Sequence, residues 1–124
     1  MPLNYDRCQR EPSLLAFAGA LIAASAVGLG AYAAHGVADA GDRSNLQMAS
    51  FYAFGHGVAL AALAPCTARF AGRAGLYLIL LGTLSFSDSL AMNAMAGTGT
   101  RLAPAGGIAM MLGWLVWALD AIRR

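Results

Sequence analysis

Residues 12–38 read PSLLAFAGALIAASAVGLGAYAAHGVA, a run with no Asp, Glu, Lys or Arg. About 20 mostly apolar residues in a helix cross the hydrocarbon core of a bilayer, so this run is long enough to span. Three further stretches read alike. Residues 44–68 and 102–119 carry no charged side chain, and residues 74–100 carry only Asp88. Over all 124 residues, 59% are hydrophobic and 11% charged, against roughly 45–50% and 25% in soluble domains. A soluble bundle also keeps a polar face on each helix, and these runs have none. The sequence therefore predicts an all-α, integral membrane four-helix up-down bundle in a single domain, 1–124. The spans fall at about 14–35, 46–66, 75–96 and 103–121. Ser13 is placed to cap the first, GVADAGDRSN (36–45) reads as a loop, and short links force antiparallel neighbours.

All eight basic residues are arginine, and the net charge of +2 is too small and too scattered for a nucleic-acid footprint. Its distribution is more telling. Arg7, Arg10, Arg69, Arg73, Arg123 and Arg124 fall on the side shared by both termini, and only Arg43 and Arg101 on the other. The positive-inside rule then puts both termini in the cytoplasm. The first apolar run is too long for a signal-peptide core and reads as a retained span. Cys8 and Cys66 fall on that same side, where thiols stay reduced. They are expected to be free, with no ligand spacing for zinc.

In lipid, helices associate by close packing of small residues rather than by hydrophobicity. Rows at every fourth position are candidate packing stripes: Ala16, Ala20, Ala24 and Gly28; Ala49, Ala53, Gly57 and Ala61; Ala105, Ala109 and Gly113. In the third span the row is polar, Ser85, Ser89, Asn93 and Gly97. Gly106 and Gly107, after the helix-starting Pro104, add a further close-packing point.

Asp88 is the chemical oddity. An Asp at a helix centre costs about 2.5–3.5 kcal/mol on the insertion scale, roughly what the leucines, Ile79 and Phe86 of the same span return. It is expected to face the bundle interior or water, to find a donor, or to be protonated. Counting residues from the span ends places His56 roughly 15 Å and Asp88 roughly 10 Å below the outer surface. His35, Tyr52, His56, Ser85, Asp88 and Ser89 are thus a candidate intramembrane polar cluster. Such a cluster either fixes helix register or relays protons or ions. No nucleophile motif, HExxH or phosphate loop is present, and the methionines form no metal stripe. No catalytic, cofactor or metal residue is expected.

Four blocks, in order, resemble one family. They are LGAYAAHGV (29–37), YAFGHGVAL (52–60), LLGTLSFSDSL (80–90) and LAPAGGIAMMLGW (102–114). Together they are similar to the domain of unknown function 423 family, small four-span membrane proteins with bacterial inner-membrane members and a transmembrane-protein-256-like branch. The resemblance implies four helices and an integral membrane location, and carries no settled activity. His35, His56, Ser87, Ser89, Pro104 and Gly107 sit on its pattern positions. Asp88 stands where the pattern has glycine. The expectation is a multi-pass protein of the bacterial inner membrane, not an enzyme. It would act through helix packing with lipids around it, as a homo-oligomer or within a larger membrane protein complex. The alternative is a proton, ion or small-solute conductor built on the His/Asp cluster.

Overall fold

Ser13 starts the first helix. Its backbone is extended and its hydroxyl accepts from the Ala16 amide at 3.1 Å, which satisfies one of the amides a helix start leaves open. The computed structural model describes residues 12–97, 99 and 102–122. Four helices follow in order: α1 Leu14–Gly36, α2 Ala40–Leu63, α3 Phe70–Ala96 and α4 Leu102–Ile122. A short 3₁₀ turn, Ala64–Cys66, follows α2 where Pro65 ends the α-helical ladder. Gly97 closes α3 at φ 66°, its amide donating to the Asn93 carbonyl, the left-handed cap that glycine adopts without strain. All four helices are long and apolar enough to cross a membrane.

Two expectations are corrected. Residues 36–45 are mostly helix, because α2 begins at Ala40. Asp39 caps it by accepting from the Asp42 amide at 2.9 Å, and Asp42 adds a carboxylate to the first turn, where the helix dipole favours it. Arg43 then reaches back to the Val37 carbonyl with two N–H groups, at 2.8 and 3.1 Å, and folds the three-residue link onto α2. The second correction concerns cysteine. Cys66 is disulfide-bonded and no free cysteine occurs among the described residues. The expectation of free thiols rested on compartment and not on proximity, which sequence spacing does not report. Cys8 lies outside the described residues.

The helices pack in chain order: α1 on α2, α2 on α3, α3 on α4, with no extensive contact between α1 and α4. The α1–α2 hairpin closes at Gly19 and Gly57. A Cβ on either would lie 2.6–2.7 Å from the other's carbonyl oxygen. The α3–α4 hairpin closes at two such pairs, Gly75 with Gly113 and Gly82 with Gly106, with hypothetical Cβ-to-oxygen distances of 2.6–2.8 Å. Each pair is one heptad from the next, the repeat of helices wound left-handed at a shallow angle. Between the hairpins, Leu60 of α2 meets Leu76 and Ile79 of α3 in a core with Leu15. Side chains pointing outward are large and apolar, among them Phe17, Phe70, Leu81, Leu115 and Leu119, the surface a lipid solvent accepts.

Candidate functional site

The polar residues inside the helices fall into two groups on two faces. The first lies between α1 and α3. Thr83 and Ser87 are one turn apart on the inner face of α3, and both are buried. Ser87 Oγ donates to the Ala49 carbonyl of α2 at 3.0 Å. Thr83 Oγ1 is enclosed and has no hydrogen-bond partner among the described residues. Asp88, one residue past Ser87, turns outward and is exposed. With Ser25 of α1 they line a cleft of 230 Å³. Asp88 has neither a hydrogen bond nor an ion pair with any described residue.

The second group lies on the α4 side. The His56 ring is half-buried, and its Nδ1–H donates to the Tyr52 carbonyl one turn back, at 2.8 Å. Tyr52 stacks on the His56 ring with centroids 6.0 Å apart and planes 19° from parallel. The Trp114 ring of α4 lies with its centroid 6.0 Å from that of the imidazole, tilted by 55°, and Phe86 of α3 meets Tyr52 edge-on with centroids 4.9 Å apart. Two clefts open beside this group. One, of 650 Å³, lies along α1 and α2 and reaches Trp114. The other, of 610 Å³, lies among α2, α3 and α4.

The expected single cluster is therefore corrected. Asp88 lines the α1–α3 cleft, and His56 lines the two clefts on the opposite side, with no residue of the Asp88 cleft among the walls of either except Ala26. Depth separates them too. The Ser87–Ala49 bond sets the antiparallel register, which puts Asp88 level with Ala49 and leaves His56 seven residues, or about 10 Å, away along the axis. The offset arises because α2 begins at Ala40, six residues before the expected span start at 46. His35 is exposed at the end of α1. Ser85 is half-buried and Ser89 buried, and neither side chain makes a hydrogen bond among the described residues. Of the six residues, the structure joins only Tyr52 and His56.

The packing glycines divide similarly. Gly57, Gly106 and Gly113 sit at backbone crossings, while Gly107 is only in loose contact with Phe86. Gly28 is corrected: it faces outward, and a Cβ there would meet nothing within 4 Å. The buried row on α1 is instead Gly19, Ala26 and Ala33. Ser50 also escaped the sequence reading. It donates to the Ala26 carbonyl at 2.6 Å across the α1–α2 hairpin. A spacing of seven, rather than four, carries the signal for Gly19, Ala26 and Ala33, and for Gly75 and Gly82. Among the described residues no three His, Cys, Asp or Glu side chains gather to hold a metal ion.

A family model described as a protein of unknown function (DUF423) matches residues 29–107. The match runs from the end of α1 through α2 and α3 into the first turns of α4, and so includes His56, Thr83 and Asp88. No solved structure matches the chain.

Proposed function

The chain belongs to the DUF423 family of proteins of unknown function, and on that premise we propose that it is a non-catalytic, multi-pass protein of the bacterial inner membrane. It works by helix association, as a homo-oligomer or as an accessory subunit of a larger complex. The supporting observation is Asp88. It lies in a helix long and apolar enough to span a membrane, points outward and has no partner among the described residues. A carboxylate so placed costs about 2.5–3.5 kcal/mol near a span centre, and intramembrane acids usually find a partner or a polar cavity. A helix laid over the α1–α3 face would bring a donor to Asp88.

Native mass spectrometry in mild detergent tests this with the wild type and Asp88→Leu. A defined complex in the wild type that falls to monomer in the variant, with monomer thermal stability kept or raised, is the expected result. A monomeric wild type purified with no partner contradicts it. One observation favours a second reading. Ser25, Thr83, Ser87 and Asp88 share one cleft, and hydroxyl and carboxylate oxygens suit a small cation or proton path. Ion flux in liposomes holding the chain alone, abolished by Asp88→Asn, would replace the first reading with this one.

A further inference from the structure

His56 stands where the two large clefts meet, since Tyr52, His56 and Trp114 belong to the walls of both. Each cleft falls within the 300–1,000 Å³ common for small-molecule sites, which are mostly apolar with a few placed polar groups. Here the walls are mostly apolar side chains and aromatic rings, with Gln47 and Ser50 in the cleft along α1 and α2 and His56 at the junction of the two; the Ser50 hydroxyl is committed to the Ala26 carbonyl. Its Nδ1–H is committed to the Tyr52 carbonyl. In a neutral imidazole the other nitrogen is then an acceptor. That atom, Nε2, has no partner among the described residues. A lipid acyl chain would fill the volume and leave the lone pair unmet, a cost in a medium that offers no water. The rings at 4.9–6.0 Å around the junction give edge-to-face and offset-stacked surfaces of the kind another aromatic ring prefers.

We infer that the cleft at the Tyr52–His56–Trp114 junction binds a lipid-soluble aromatic ring bearing a hydroxyl group, of the phenol or quinol class, whose O–H donates to His56 Nε2. Its apolar tail lies in the cleft along α1 and α2, beside the small residues Gly30 and Ala31. The site is independent of the Asp88 face and does not require the proposed assembly.

The probes are 4-heptylphenol and its methyl ether, which share ring and tail and differ in the one donor. Calorimetric titration of the detergent-solubilised chain should show saturable binding of the phenol and binding about tenfold weaker for the ether, the loss of one buried hydrogen bond. His56→Phe, which keeps a ring in place, should abolish the difference between the two. Equal affinity of the wild type for both probes, or no saturable binding of the phenol, overturns the inference and leaves the cleft to acyl chains. The wild-type comparison decides the matter even where His56→Phe does not fold.

Discussion

Two hydroxyls one turn apart on α3 face the same interior with opposite outcomes. Ser87 donates to Ala49 across the helix interface, and Thr83 donates to nothing. Removing a made bond and removing an unmade one have different signs, because an enclosed polar group without a partner costs about 1–3 kcal/mol. Thr83→Val, nearly equal in shape, should hold or raise the thermal unfolding temperature of the monomer in detergent. Ser87→Ala should lower stability by about 0.6 kcal/mol, the average for hydrogen bonds between membrane helices. The same contrast shows what sequence conveys at this scale. That Asp88 is anomalous was plain from an apolar run interrupted once. Whether its side chain meets a donor depends on rotation about α3, where one position beyond Ser87 turns a residue from the α2 contact to the outer surface. Depth alone contains no rotation, so it groups His56 and Asp88 although they face apart.

At the scale of the helix, four elements were legible because a charge-free run of sufficient length has few other readings. Their ends were less so. The Asp39 cap and the Arg43 tie to Val37 extend α2 through residues whose composition suggests a turn. Packing stripes were half legible. On α2, Ala49, Ala53 and Gly57 are buried, and a row of fours describes so short a stretch well. On α1 the row of fours drifts off the interface, because shallow left-handed packing repeats at seven, and Gly28 ends up outside it. The expected consequence is a sharp difference among glycines. Gly82→Ala or Gly113→Ala places a methyl against backbone and should destabilise the α3–α4 hairpin by about 1–3 kcal/mol. Gly28→Ala, with open space around it, should leave stability unchanged or raise it by up to about 1 kcal/mol. Thermal unfolding of the three variants in one detergent compares them directly.

Over the whole molecule, two glycine-closed hairpins meet along α2 and α3 and leave α1 and α4 apart. That arrangement makes two dissimilar faces, one with Asp88 and hydroxyls, the other with aromatic rings and His56. Its orientation is a separate question from its fold. The arginine count predicts cytoplasmic termini, and the Cys66 disulfide does not itself report a compartment. Reporter fusions at the two ends should agree with one another, and the arginine count predicts a cytoplasmic signal from both. A periplasmic signal from both would invert the chain and keep the fold. The claim on which the functional account stands is that another protein helix covers the Asp88 face. Leu84 is exposed and lines the same cleft as Asp88, so a photo-crosslinking residue at position 84 samples that face in native membranes. The account predicts a discrete protein adduct, either a dimer of this chain or one partner of defined mass, that is lost with Asp88→Leu. Lipid adducts alone at position 84 would contradict it.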